Sequence, residues 1–230
     1  MKYYAVQKGR IPGIYTSWLE CEKQVKGFAG AVYKSFNNEI DAFNFIQSNG
    51  YEPSNKSKTK TLNSNNDIDL SKYNCPVFFV DGSYNNDTKE YSYGIAVIPD
   101  TNNLSNEIHI NGKNNNPDYI SHRNVAGEIL ASELAISYAI KHHYSEITIF
   151  YDYEGIKKWC IGEWYTNTDL TRLYKDFYKR VSNKIKVNFV HVKGHSNNYY
   201  NDLVDALAKS ALGIPLEKPK FADIIHPIKL

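Results

Sequence analysis

Residues 77–84 read VFFVDGSY: four apolar side chains run directly into Asp81, Gly82 and Ser83. A run of this kind is a buried strand, and Asp-Gly alone is a common way to end one in a turn. The other reading is that the strand exists to hold the Asp81 carboxylate still. Two further apolar stretches follow at once, SYGIAVIP (92–99) and EIHINGK (107–113), so the region opens with three consecutive strands. NVAGEILASELAISYAIKHH (124–143) then carries apolar residues at helical spacing. ITIFYD (147–152) is a fourth strand, EGIKKWCIGEW (154–164) and DLTRLYKDFYKRVSN (169–183) are helical, KVNFVHV (186–192) is a fifth strand and NDLVDALAKSAL (201–212) a last helix. The order βββαβααβα predicts an α/β domain with a mixed five-stranded sheet: an antiparallel meander, then parallel crossovers, with helices on both faces.

Four acids fall at telling places in this frame. Asp81 ends the first strand, and Asp152 ends ITIFYD in the same way. Glu128 follows Ala126-Gly127 near the start of the long helix, where small residues let the helix approach the sheet. Asp205 sits among Leu203, Val204 and Leu207 of the last helix, where an acid is costly unless paired or metal-bound. Spacing leaves contests open: Glu133 competes with Glu128, and Asp202, one turn earlier on nearly the same face, with Asp205. A cluster of carboxylates without cysteine suits Mg²⁺ or Mn²⁺ rather than zinc. Two such ions, about 3.5–4 Å apart, would neutralise the repulsion and suit phosphodiester hydrolysis.

The chain's 230 residues include 42% hydrophobic and 23% charged side chains, the profile of a soluble globular protein. Its formal charge is only +2, so no basic field covers the whole molecule. Three distant cysteines, Cys21, Cys75 and Cys160, argue against a disulfide framework or a zinc site. The N-terminus lacks an apolar signal core, and no apolar run approaches the ~18–20 residues of a membrane span. The expectation is a reduced cytoplasmic protein, a monomer with no obligatory protein partner and no membrane association. Residues 51–74, rich in Asn, Ser and Lys, read as a flexible linker. They separate a small αβ module (1–50) from the larger domain (75–213), which a tail (214–230) follows. In the module, YYAVQKGR, IPGIYTSW and AVYKSF read as strands, LECEKQVKGF as a helix capped by Ser17, and EIDAFNFIQSN as a closing helix. Tyr4, Trp18, Tyr33 and Lys34 interleave aromatic rings with a cation, as packing or as a stacking surface for bases.

FFVDGSYN, RNVAGEILA, ITIFYDYEGIKKW and HVKGHSNNYYNDLVDALA, in this order, resemble the type 1 ribonuclease H family over residues 75–212. The first module resembles the hybrid-binding domain that precedes the nuclease in many members. The resemblance implies a metal-dependent endoribonuclease that cuts the RNA strand of an RNA–DNA hybrid. It assigns Asp81, Glu128, Asp152 and Asp205 to the family's four metal-binding acids, which decides both contests. It also matches His195, in KGHSNN, to a loop histidine linked to catalysis and product release.

Discrimination of RNA from DNA is expected at the 2′-OH. The resemblance points to Asn124, with backbone groups near Gly82, Ser83 and Glu128. Val125 stands where members often carry a polar residue, so one expected side-chain contact is either missing or replaced by Arg123. Thr166, Asn167 and Thr168 offer donors for a DNA-strand phosphate. The segment KKWCIGEWYTNTDL is short and poorly basic beside the basic helix of some members, which leaves hybrid gripping to the module. There Trp18 and Tyr33 match rings that contact the DNA strand, Lys34 would meet a phosphate, and Tyr4 would assist. Ser35 stands where a second lysine is usual, so a smaller salt dependence is expected. The alternatives are a hybrid reader whose nuclease has decayed, a transposase, or a kinase on a similar fold.

Overall fold

The computed structural model describes residues 2–10, 13–37, 42, 45, 68–194, 198–216, 221, 225, 227 and 228. The chain divides into two compact units, Met1–Thr61 and Leu62–Leu230. Residues 51–67, most of the expected closing helix at 39–49, and His195 lie outside the described residues.

In the first unit, β1 (Tyr3–Lys8) is the centre of a three-stranded antiparallel sheet between β2 (Gly13–Tyr15) and β3 (Val32–Phe36). Helix α1 (Trp18–Val25) lays Cys21 and Val25 on Val6, with Tyr4 and Tyr15 packed alongside. Ser17 stands at the N-cap as expected, but its side chain makes no capping hydrogen bond.

In the second unit the sheet order is β6-β5-β4-β7-β8. The strands are β4 (Val77–Asn85), β5 (Glu90–Ile98), β6 (Ile108–Asn114), β7 (Glu146–Tyr151) and β8 (Lys186–His191). The first three form the antiparallel meander, and β7 and β8 add to β4 in parallel, as the element order predicts. The helices are α2 (Asn124–Lys141), α3 (Gly155–Cys160), α4 (Asp169–Val181) and α5 (Tyr199–Ala211). Alternation along β4 divides them. Phe78 meets Tyr138 of α2, whereas Phe79 joins Leu203, Val204 and Leu207 of α5 in the core of the other face. Among the described residues no helix is long and apolar enough to cross a membrane.

Three features depart from expectation. Strand β4 does not end at Asp81: its antiparallel pairing with β5 continues from Asp81↔Gly94 to Asn85↔Glu90. The final residues of the 51–74 stretch are packed, with Leu70 buried in the α5-side core and Ile68 and Tyr73 against it. The tail is also partly built in, because Phe221 is fully buried in that core.

Candidate active site

The parallel pairing of β4 with β7 runs only from Val77↔Thr148 to Phe79↔Phe150. Asp81 and Asp152 lie two residues beyond that last pair, at the same end of neighbouring strands. So β4 continues as a hairpin arm with β5 while its parallel neighbour stops, and the two acids stand at the mouth this opens. Asp152 immediately follows β7.

Glu128 comes from the opposite helix. Gly127 lets α2 press onto the sheet: a Cβ there would sit 2.0 Å from the Ser92 carbonyl oxygen and 3.0 Å from Gly82 Cα. Gly82 completes the approach, since its own Cβ would lie 2.4 Å from the Glu128 nitrogen. Backbone against backbone at this range brings Glu128 to Asp81. One carboxylate oxygen each of Asp81, Glu128 and Asp152 lie within 4.8 Å of one another.

Asp205, on α5, lines the same cleft but stands apart from that triad. It pairs with Lys209 one turn on, at 3.0 Å, and its side chain is 32% exposed. The expected cost of an acid in a packing helix is thus lowered by a paired cation and by partial exposure. The cleft has a volume of about 320 Å³ and is also lined by Gly82, Asn124, Tyr153, Asn201 and Asp202.

The electrostatics are those of an acid cluster short of positive charge. Burial, then the Asp152 and Asp205 carboxylates, push the Asp81 carboxyl well above its ordinary range. The Gly82 N–H, donating to Asp81 Oδ1 at 2.7 Å, and Lys209 oppose this. Glu128 is likewise raised by burial and then by Asp81 and Asp152, against the Asn124 amide, whose Nδ2 donates to Glu128 Oε1 at 3.2 Å. Such a site binds protons or a divalent cation. Among the described residues, three convergent carboxylates without sulfur or imidazole donors form a hard oxygen set that fits Mg²⁺ or Mn²⁺.

The other expected residues divide as follows. Asn124, the first residue of α2, reaches the cleft. Arg123 before it is exposed at φ 52°, a left-handed backbone for a side chain that rarely adopts it. Ser83 is buried within β4. Gly194, before the undescribed residues 195–197, runs beside Asp152, since a Cβ on it would lie 3.0 Å from Asp152 Oδ2. Thr168 caps α4 through its hydroxyl, and His122 Nε2 lies 3.0 Å from Thr168 Oγ1. Both line a second cleft of about 740 Å³ with Asn167 and Arg172.

In the first unit Trp18 is flanked by Tyr4 at 5.6 Å and Tyr33 at 6.0 Å, and Trp18 and Tyr33 are both nearly half exposed. Lys34 does not join them. Strand alternation turns it to the other face, where its ammonium lies 5.4 Å from the Phe36 ring centroid. The sequence reading missed Lys209, which the i,i+4 spacing from Asp205 could have flagged. It also missed Tyr153 and His122, for which the sequence carries no signal.

A model for the RNase H domain matches residues 74–213, and one for the ribonuclease H1 N-terminal domain matches residues 2–46. A ribonuclease H of Saccharomyces cerevisiae is 52% identical, over 19% of this chain and 13% of that protein. A ribonuclease H of Schizosaccharomyces pombe is 26% identical, over 90% of this chain and 96% of that protein. Among solved structures, the RNase H1 of the archaeon Halobacterium salinarum aligns with TM-score 0.48 at 19% identity, covering 60% of this chain and 97% of that one.

Proposed function

Since the chain belongs to the RNase H family, we propose that it is an endoribonuclease hydrolysing the RNA strand of RNA–DNA hybrids. The observation that carries this reading is the convergence of Asp81, Glu128 and Asp152 within 4.8 Å, with Asp205 lining the same cleft. These four acids would hold two Mg²⁺ or Mn²⁺ ions, which when bound supply an activated water and stabilise the leaving oxygen. The Gly82 N–H steadies the Asp81 carboxylate, and Asn124 steadies Glu128. Asn124, at the rim of the cleft, would read the 2′-OH together with backbone groups around Gly82, Ser83 and Glu128. His195 would assist catalysis and product release from its loop. Residues 1–50 would form the hybrid-binding domain and 75–213 the catalytic domain, joined by the 51–74 stretch, whose last residues pack onto the latter through Leu70.

The test is cleavage of a hybrid labelled on either strand, with Mg²⁺, Mn²⁺ or EDTA. Cutting of RNA only, abolished by EDTA and absent on duplex DNA, is expected. Hybrid binding without any cutting would leave a decayed nuclease that only reads hybrids.

The first unit would add grip. Trp18 and Tyr33 offer exposed ring faces to nucleobases, and such stacking is worth about 1–3 kcal/mol per base. Replacing both with Ala should weaken binding of a long hybrid about tenfold or more and shorten runs of successive cuts. Turnover on a short saturating hybrid should stay unchanged. Unaltered affinity and run length would remove the aromatic face from substrate binding.

A further inference from the structure

Helix α5 is fastened to the sheet in two different ways. Towards its C-terminus, hydrogen bonds from the strands grip its backbone: Ser92 Oγ donates to the Ala208 carbonyl at 2.7 Å, and Asn111 Nδ2 to the Leu207 carbonyl at 2.9 Å. Towards its N-terminus the fastening is aromatic. Phe79 stacks on Tyr200 at 4.7 Å, Tyr200 meets Tyr199 at 5.1 Å, and Tyr199 meets Phe221 of the C-terminal tail at 5.7 Å. On its other side Phe79 stacks on Phe150 at 4.5 Å, and Phe150 meets Tyr73 at 5.2 Å.

This row of rings bears directly on the acids. Phe79 lies two residues before Asp81, Phe150 two before Asp152, and Tyr200 five before Asp205. Phe221 closes the row and is fully buried, although it sits in a Lys- and Pro-rich tail that would otherwise leave the domain. The tail is held further along as well: Ile225 packs against the same core, and the Ile228 N–H donates to the His109 carbonyl at 2.9 Å, where Ile228 bridges Ile110 in parallel on β6.

Resting on the metal-site reading above, we propose that Phe221 is a positioning residue: the tail clasps the N-terminal turn of α5 and so sets Asp205 against Asp81 and Asp152. Packed interiors transmit small displacements because they contain few voids. A gap at Phe221 would let the first turns of α5 shift while the hydrogen bonds at Leu207 and Ala208 still hold the far end. Asp205 lies between the two fastenings.

The experiment measures Mg²⁺ binding by calorimetry and steady-state cleavage of a hybrid. It compares the intact chain with Phe221→Ala, Phe221→Leu and Ile136→Ala, well below every melting temperature. Ile136 is a fully buried residue of α2, so its truncation is the control for lost packing alone. The proposal expects Phe221→Ala to bind Mg²⁺ roughly tenfold more weakly, the scale seen when groups supporting metal ligands are removed. Its kcat should fall at a saturating hybrid concentration with KM unchanged, Phe221→Leu should restore most of both, and Ile136→Ala should lose only thermal stability. Wild-type Mg²⁺ affinity and kcat in Phe221→Ala would overturn the proposal and leave Phe221 a core filler. Absence of Mg²⁺ binding by the intact chain would instead overturn the metal-site reading, and this proposal with it.

Discussion

Asp81→Asn is expected to abolish hybrid cleavage while making the metal-free protein more stable. The first effect follows from position. Asp81 is the acid that sees both Asp152 and Asp205, and its oxygen is one of the three that converge. An amide there keeps the shape but loses the charge a divalent cation needs. A rate loss of about a thousandfold or more, roughly 4 kcal/mol in barrier height, is the expected scale. The second effect has the opposite sign because burial and two neighbouring carboxylates disfavour the ionised acid.

The pH dependence follows from the same shifts. Asp81 and Glu128 have folded pKa values raised above the ordinary 3.8 and 4.5. Each therefore contributes stability that is fully present below the ordinary value and is lost as pH rises through the folded one. In EDTA, the melting temperature of Asp81→Asn should exceed that of wild type by a margin that grows from mildly acidic to alkaline pH. Each ~1 kcal/mol relieved shifts the midpoint by roughly 2–4 °C in a chain of this size. Mg²⁺ should narrow the margin, because the cation rescues only the wild-type charge. A mutant that is inactive yet no more stable at pH 8 in EDTA would mean that the acids are not electrostatically frustrated.

Much of this architecture is legible in the amino-acid sequence. Hydrophobic period and turn residues distinguish strand from helix, and short connections dictate a meander followed by crossovers, so the mixed sheet was readable. The Ala126-Gly127 pair likewise announced the close helix contact that delivers Glu128. The misreadings have specific causes. Asp81 looked like a strand end because hydrophobicity stops there. Yet the hairpin with β5 carries the strand on to Asn85 through backbone pairing, which needs no apolar side chain. Lys34 lies on the opposite face of β3 from Tyr33, because neighbours in a strand face opposite ways, so the phosphate contact expected of it would be made apart from the rings. Phe221 and Leu70 carry no periodic signal because the apolar stretches around them, FADII and IDL, are too short to show a period; only the docked fold shows what each buries against. The choice of Glu128 over Glu133 came from family resemblance. The structure supplies a physical separation: Glu128 converges with the other acids, whereas Glu133, five residues on and on a different face of α2, is raised to about 7 by burial and opposed by Arg180.

Gly127→Ala sets two physical effects against each other and should be strongly destabilising. Intrinsic helix preference favours Ala over Gly by about 1 kcal/mol inside a helix, and residue 127 is inside α2. The new Cβ would, however, stand 2.0 Å from the Ser92 carbonyl oxygen, about half a comfortable separation, with Gly82 Cα at 3.0 Å. Neither contact is with a side-chain end that can swing away: both are sheet backbone, fixed by the Asp81↔Gly94 and Ser83↔Ser92 pairs. Relief requires moving α2 off the sheet, which opens voids beneath Ile129, Ala131 and Ile136. Overpacking of this kind costs typically ~1–3 kcal/mol and more where backbone must shift, so a net loss of about 3 kcal/mol is expected in urea unfolding. Because Glu128 is the next residue, the same displacement withdraws its carboxylate from Asp81 and Asp152. Cleavage should therefore fail even in the fraction that stays folded, and added Mg²⁺ should stabilise the mutant less than the wild type. A mutant as stable as wild type would mean that helix and strand part easily at this point. The glycine pair Gly82 and Gly127 would then no longer explain how an acid from α2 reaches the strand-borne ones.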